Sequence, residues 1–143
     1  MEAKSKADGY AGDLSPSEAH RLLERDPTAV LIDVRTKPEW QYVGVPAVAG
    51  RETVFLSWQE YPEMKPHTDF AGAVAAAGVS RDQPILLLCR SGVRSRSAAI
   101  ALTAAGYREA YNIAEGFEGT LDDKGHRGTV GGWKKAGLPW RQQ

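Results

Sequence analysis

The feature that most constrains the fold is an apolar run that ends at the single cysteine of the chain. Ile85-Leu86-Leu87-Leu88 leads directly into Cys89, and a loop rich in Arg, Ser and Gly follows before a helix-like stretch at residues 97–102. A short, wholly apolar run bounded by such a loop predicts a buried strand. A buried strand followed by a helix is typical of a parallel sheet that is covered on both faces.

Further strands and helices alternate along the chain. We predict strands at residues 30–34, 53–56, 84–88 and 110–113, and helices at residues 16–25, 68–78 and 97–105. Residues 37–42 predict a short helix or a turn. Ser15 and Glu18 form a capping-box pattern at the first helix. Residues 61–67 contain two prolines and predict a loop, and residues 133–136 predict one helical turn. The alternation predicts an α/β fold, with a parallel sheet and helices on both faces.

Composition limits the classes of function. The chain has 143 residues, which fits a flexible tail over residues 1–12 and one domain over residues 13–143. Its formal net charge is zero, which argues against nucleic-acid and membrane surfaces. The N-terminal residues lack an apolar signal core, so we expect a cytoplasmic protein. Because the chain fits a single domain, we expect a monomer. One cysteine excludes an intramolecular disulfide, and the scattered His20, His67 and His126 predict neither a metal nor another cofactor.

The position of Cys89 gives its thiol a physical reason to ionise. In a parallel sheet, ligands bind at the carboxyl ends of the strands, where Cys89 falls. The unpaired N–H groups and the dipole of the next helix favour an anion there. Arg90, Arg94 and Arg96 add positive charge, and no acidic residue lies between Asp82 and Glu109. An inert buried cysteine is the competing interpretation, but the composition of the loop favours an activated nucleophile that binds anions.

Four segments, in order along the chain, resemble one known family. Ile32-Asp33-Val34-Arg35, followed by Glu39-Trp40, is similar to its signature after an early strand. Cys89-Arg90-Ser91-Gly92-Val93-Arg94-Ser95 resembles its active-site loop. The segment after the last strand of the family is similar to Asn112-Ile113-Ala114-Glu115-Gly116-Phe117. Its usual C-terminal end resembles Leu138-Pro139-Trp140. The chain therefore resembles the rhodanese-like sulfurtransferases over residues 14–140, a match more specific than one short motif. The resemblance implies an α/β fold with a five-stranded, mostly parallel sheet and helices on both faces.

This resemblance implies a thiosulfate sulfurtransferase that carries a sulfane sulfur as a persulfide. Cys89 would be the nucleophile, and the loop residues Arg90, Ser91, Gly92, Val93, Arg94 and Ser95 would hold the substrate. We expect their N–H groups to surround the sulfur, with Gly92 forming the tight curve. Arg90 would recognise an anionic donor such as thiosulfate, Arg94 would brace the loop, and Ser91 and Ser95 would donate hydrogen bonds to the terminal sulfur.

A second group, Asp33, Arg35 and Glu39, is expected to support the loop. The four-residue spacing of Arg35 and Glu39 would let them pair on a helical turn. No cofactor is implied. The expected partners are a small sulfur donor and a thiol, cyanide or a protein sulfur carrier as acceptor. The physiological donor stays open among thiosulfate, mercaptopyruvate and the persulfides of a desulfurase or of glutathione.

Two departures from the family pattern concern the rim of the pocket. Residues 43–48 lack the histidine that the family commonly has after its acidic signature, which leaves the acceptor open. Residues 118–132 form a long segment, rich in glycine and charge, that is expected to shape or cover the pocket. Trp40, Trp58, Trp133 and Trp140 are expected to pack in the core or at the rim, because no basic patch accompanies them.

Two alternative functions remain. A cysteine phosphatase or arsenate reductase on the same fold has five residues between its cysteine and its arginine. Here Arg94 comes one position early and Ser95 takes the sixth place, so the loop is shorter and suits a sulfur atom better than a tetrahedral oxyanion. A non-catalytic interaction module is the other alternative, although relatives of that kind usually lack the cysteine.

Overall fold

The computed structural model describes residues 9–142 as an α/β fold around a parallel five-stranded sheet. The strands are β1 (Gly12–Leu14), β2 (Val30–Asp33), β3 (Val45–Pro46), β4 (Val54–Phe55), β5 (Gln59–Glu60), β6 (Lys65–Pro66), β7 (Ile85–Leu88), β8 (Ala110–Ile113) and β9 (Trp140–Arg141). The helices are α1 (Pro16–Arg25), α2 (Lys37–Tyr42), α3 (Phe70–Ala76) and α4 (Val93–Ala104). The order β1-β8-β7-β2-β4, with every neighbouring pair parallel, confirms the predicted fold class.

The apolar run before Cys89 forms β7, the central strand of the sheet. Ile85 and Leu87 face the core beneath α3 and α4, whereas Leu86 and Leu88 face the core beneath α1. Each of these four side chains is fully buried. Their alternation places helices on both faces of the sheet. Cys89 therefore lies at the carboxyl end of the central strand, as predicted.

The helices differ from the predictions mainly at their ends. Helix α1 has the predicted capping box, in which Ser15 Oγ accepts from Glu18 N–H at 3.1 Å and Glu18 Oε1 accepts from Ser15 N–H at 2.9 Å. Helix α4 starts at Val93, four residues before the predicted stretch, because Gly92 in a left-handed conformation allows a tighter entry. Within residues 9–142, no helix is long and apolar enough to cross a membrane.

One prediction about an irregular segment is wrong and another is confirmed. Residues 61–67, predicted to be a loop, contain β6, which pairs with β5 as an antiparallel hairpin. Residues 133–136 form the predicted single turn, in which Ala136 N–H donates to the carbonyl of Gly132 at 3.0 Å, four residues earlier as in a helix. The hairpin carries two residues of the candidate site described below. Trp133 lies in the core beneath α1, as predicted for the tryptophans.

The N-terminal boundary lies earlier than predicted. Tyr10 and Ala11, which were assigned to a flexible tail, are 2% and 3% exposed. Ala11 N–H donates to the carbonyl of Ala110 at 3.0 Å, and Gly12 begins β1. The rest of the predicted tail, residues 1–8, lies outside the described residues, as does Gln143. The sheet therefore includes residues whose polar, glycine-containing sequence gave no strand pattern.

Candidate active site

Cys89 lies between β7 and α4 with two donors next to its sulfur. The N–H of Gly92 and the hydroxyl of Ser95 each lie 3.1 Å from Sγ. Cys89 itself is 1% exposed and lies at the base of an open cleft. A ring of N–H groups from Arg90 to Ser95 was predicted to surround the sulfur. Among these groups, the N–H of Gly92 lies within hydrogen-bond distance of Sγ. The site thus offers an anionic sulfur two hydrogen bonds and a helix N-terminus.

The conformation of the loop requires glycine at position 92. Gly92 has φ of 104°, and a Cβ atom there would lie 2.2 Å from the carbonyl oxygen of Ala114. A side chain at this position would therefore face both a strained backbone and a steric clash. Gly92 lets the chain turn sharply after Cys89 while its own N–H points at the sulfur.

The segment after β8 holds the loop from behind. Phe117 N–H donates to the carbonyl of Cys89 at 2.8 Å. Glu118 N–H and Gly119 N–H both donate to the carbonyl of Arg90, at 2.9 and 3.2 Å. These three bonds fix the two peptide groups that follow the nucleophile, so the position of the loop after Cys89 depends on residues 117–119.

Arg94 forms a two-point ion pair with Glu39. Its Nη1 and Nη2 lie 2.7 and 2.9 Å from Oε1 and Oε2 of Glu39, respectively. Oε1 of Glu39 also accepts from the N–H and the hydroxyl of Thr36. Burial alone would raise the pKa of Glu39, but the hydrogen bonds and charge of Arg94 lower it to about 2. The bonds to Glu39 in turn raise the pKa of Arg94. The charge of Arg94 is thus offset locally, and the pair joins α2 to α4.

The predicted pairing of Arg35 with Glu39 is wrong. Arg35 instead bonds Asp33, with Nε 3.0 Å from Oδ1 and Nη2 2.7 Å from Oδ2. The reason is that Arg35 precedes α2, which begins at Lys37, so Arg35 and Glu39 do not share a helical face. Arg35 also donates to the carbonyl of Gly44 at 2.8 Å and lies 4.3 Å from the ring centre of Phe117. Asp33 and Arg35 are fully buried behind the loop.

The cleft above Cys89 has a volume of about 630 Å³. It is lined by six of the residues predicted for the site, namely Cys89, Arg90, Ser91, Val93, Arg94 and Glu39. It is also lined by five residues that were not predicted individually, namely Val43, Gln59, Met64, Glu118 and Arg127. The long segment shapes the cleft as expected, because Glu118 and Arg127 belong to it. Gln59 and Met64 belong to the β5–β6 hairpin, whose short strands carry no periodic pattern.

Two polar residues behind the sulfur were also missed as site residues. Asn112 is 3% exposed, and its Oδ1 lies 2.6 Å from Ser95 Oγ. Its Nδ2 lies 3.1 Å from Oδ1 of Asp13. The available signal was a polar residue inside the otherwise apolar strand β8, since a buried amide must find partners. Within the part of the chain that the structure describes, no group of three or more His, Cys, Asp or Glu residues is arranged to hold a metal ion.

Comparisons with known proteins agree with this geometry. The sequence profile of the rhodanese-like domain matches residues 15–123, so the chain belongs to the rhodanese-like domain family. The crystal structure of Rv0390 from M. tuberculosis superposes with a TM-score of 0.84 at 46% identity, covering 94% of this chain and 99% of that one.

Two relatives illustrate what is known of similar sequences. The uncharacterized protein RC0915 of Rickettsia conorii is 37% identical over 90% of this chain and 96% of its own length. The thiosulfate sulfurtransferase GlpE of Actinobacillus succinogenes is 28% identical over 89% of this chain and 87% of its own length. Some relatives within the family thus carry the name of a sulfurtransferase, while others have no assigned activity.

Proposed function

We propose that this chain is a sulfurtransferase that carries a sulfane sulfur on Cys89. The observation that carries the proposal is the placement of Sγ 3.1 Å from both the Gly92 N–H and the Ser95 hydroxyl, at the N-terminus of α4. Donors directed at a sulfur stabilise a thiolate and the persulfide anion that forms from it. The similarity to a relative named thiosulfate sulfurtransferase supports thiosulfate as one donor.

The proposed reaction has two displacements at sulfur. The Cys89 thiolate attacks the outer sulfur of thiosulfate, a new S–S bond forms at Sγ, and sulfite leaves with the electron pair of the broken bond. A nucleophilic acceptor, either cyanide or a thiolate, then attacks the terminal sulfur of the persulfide. The Sγ–S bond breaks, and Cys89 leaves as a thiolate. No other cysteine of the chain can take part, because Cys89 is the only one.

The loop geometry favours sulfur transfer over phosphate chemistry. Arg94, the arginine that comes one position early for a phosphatase loop, is engaged by both carboxylate oxygens of Glu39. The residue at the phosphatase arginine position is Ser95, whose hydroxyl faces the sulfur instead. A tetrahedral oxyanion would therefore lack the bidentate arginine that such chemistry uses.

The other predicted residues take supporting roles in the proposal. Arg90 is exposed at the cleft and would bind the anionic donor. Asp33, Arg35 and Glu39 would position the loop through Phe117 and Arg94. We retain a thiol, cyanide or a protein sulfur carrier as acceptor, with a monomer as the working unit. The chemistry needs a reduced cysteine, which suits the cytoplasm.

Intact mass spectrometry tests the proposal. After incubation with thiosulfate, the protein is expected to gain one sulfur atom, about 32 Da, and to lose it again on addition of cyanide. Cys89→Ser should show no gain. A phosphate ester assayed in parallel should not be hydrolysed. Phosphatase turnover without a sulfur adduct would refute sulfur transfer, and the absence of both activities would favour a binding module.

A further inference from the structure

A chain of hydrogen bonds runs from the Cys89 sulfur to the N-terminal strand. Ser95 Oγ lies 3.1 Å from Sγ and 2.6 Å from Asn112 Oδ1. Asn112 Nδ2 donates to Asp13 Oδ1 at 3.1 Å, and the hydroxyl of Tyr10 donates to the same oxygen at 2.7 Å. Ser95 and Asn112 are 0% and 3% exposed, so water does not replace these bonds readily. This series of hydrogen bonds therefore extends the site beyond the loop, from the buried sulfur to the half-buried Asp13.

The chemistry of the groups decides where each proton lies. The Asp13 carboxylate can only accept, so the amide of Asn112 turns its NH₂ towards Asp13 and its carbonyl towards Ser95. The carbonyl oxygen of Asn112 has no hydrogen, so the 2.6 Å bond uses the hydroxyl proton of Ser95. Ser95 has one such proton and two neighbours that can accept it. Asn112 and the Cys89 sulfur therefore compete for a single donor.

We propose that Asn112, oriented by Asp13, is a positioning residue that holds the Ser95 hydroxyl proton until Cys89 becomes an anion. While Cys89 is a thiol, its S–H donates to Ser95 Oγ and Ser95 donates to Asn112. When the sulfur loses its proton to solvent, the hydroxyl of Ser95 rotates and donates to the sulfur. No covalent bond changes at Ser95 or at Asn112. The Ser95 hydroxyl would rotate in the same way towards a persulfide anion at Cys89, and this part of the proposal rests on the function proposed above.

The rotation leaves the carbonyl of Asn112 buried without its donor. An unpaired buried acceptor is costly, so Asn112 opposes ionisation of the thiol while Gly92 N–H favours it. Removal of the Asn112 carbonyl should therefore make the thiol ionise at lower pH.

Charged groups also act on Cys89 and must stay constant in the test. Those that line the cleft or lie behind the loop are Arg90, Arg94, Glu39, Glu118, Arg127, Asp33 and Arg35, with Asp13 behind Asn112. Asn112→Leu changes none of these charges and replaces the amide with an apolar group of similar size. Any change in ionisation would then come from the hydrogen bond.

The test is the pH dependence of alkylation of Cys89 by iodoacetamide in the full-length protein. Asn112→Leu should lower the midpoint of the alkylation profile by about one pH unit, a tenfold change in the ionisation equilibrium. The double variant that carries Asn112→Leu and Ser95→Ala should have the same midpoint as the single variant Ser95→Ala. An equal displacement in both backgrounds, or none with Ser95 present, would overturn the proposal.

A second variant covers the case in which Asn112→Leu does not fold. Asp13→Ala frees the amide of Asn112 to turn its NH₂ towards Ser95, which again directs the hydroxyl at the sulfur. Its loss of charge should displace the midpoint in both backgrounds, but the displacement should be larger when Ser95 is present. Equal displacements would contradict the proposal. Alkylation needs no sulfur donor, so this result stands apart from the test of sulfur transfer by mass.

Discussion

At the scale of single residues, two arginines of one loop have opposite surroundings. Arg94 is held by both oxygens of Glu39, whereas Arg90 is exposed at the cleft. The chemistry of an anionic donor needs a cation that is not already paired. We therefore propose that Arg90 binds the donor and that Arg94 braces the loop.

Replacement of each arginine by alanine should separate these roles. Arg90→Ala should raise KM for thiosulfate about tenfold, the loss expected for one charge-assisted contact, with little change in thermal stability. Arg94→Ala should lower the melting temperature, because Glu39 would be left half-buried without its partner. Steady-state kinetics with cyanide as acceptor, together with thermal melting, would measure both. Equal effects of the two variants on KM would contradict the assignment.

At the scale of elements, the segment from Phe117 to Gly132 acts as a brace for the loop. Gly119 has φ of 78°, and a Cβ atom there would lie 2.3 Å from the carbonyl oxygen of Gly131. Gly125 has nearly the same φ, 77°, but a Cβ atom there would meet nothing within 4 Å. Alanine would therefore strain the backbone equally at both positions, but only at position 119 would its Cβ clash with a neighbouring atom.

Gly119→Ala should destabilise the protein more than Gly125→Ala does. Gly125→Ala should cost on the order of 1 kcal/mol for the left-handed conformation. Gly119→Ala should cost more than that, and it should also slow persulfide formation, because its N–H holds the carbonyl of Arg90. Urea unfolding and the rate of the 32 Da mass gain measure the two effects. Equal costs would show that the contact with Gly131 can relax freely.

The elements that could be predicted are those whose own residues bury a regular face. Helix α1 buries side chains at the helical period, and β2, β7 and β8 are short runs buried almost throughout, so both patterns are visible in the sequence. Strand β1 is three residues long and contains glycine and aspartate, and it exists because β8 pairs with it. The β5–β6 hairpin likewise depends on pairing rather than on composition.

The same distinction applies to the site. Cys89 and its loop are contiguous, so the sequence alone indicates them as a candidate site. Asp13 and Asn112 are 99 residues apart and become neighbours through the register of β1 and β8, which no local pattern records. The pairing of Arg35 with Glu39 was wrong because a spacing of four residues brings side chains together only within one helix, and Arg35 precedes α2, which begins at Lys37.

At the scale of the whole molecule, the ion pair of Glu39 with Arg94 links the segment after β2 to the helix after β7. Both residues line the cleft, and the strength of their pairing depends on pH. The pKa of Glu39 is lowered from 4.5 to about 2, because the hydrogen bonds and charge of Arg94 outweigh the effect of burial. A carboxyl with a lowered pKa in the folded state stabilises the fold when it is ionised.

The acid sensitivity of the fold should therefore change in Glu39→Gln. Above pH 4.5 this variant should be less stable than the wild type by on the order of 2 kcal/mol, because the charge of Arg94 loses its partner while glutamine can still cap Thr36. As the pH falls from 4.5 to about 2, protonation of Glu39 removes the advantage of the wild type and the two stabilities should converge. Urea unfolding across this range would measure the difference. Glu52→Gln, which removes the same charge from an exposed position, should show no such convergence, and a constant gap for Glu39→Gln would show that the pair does not act through its charge.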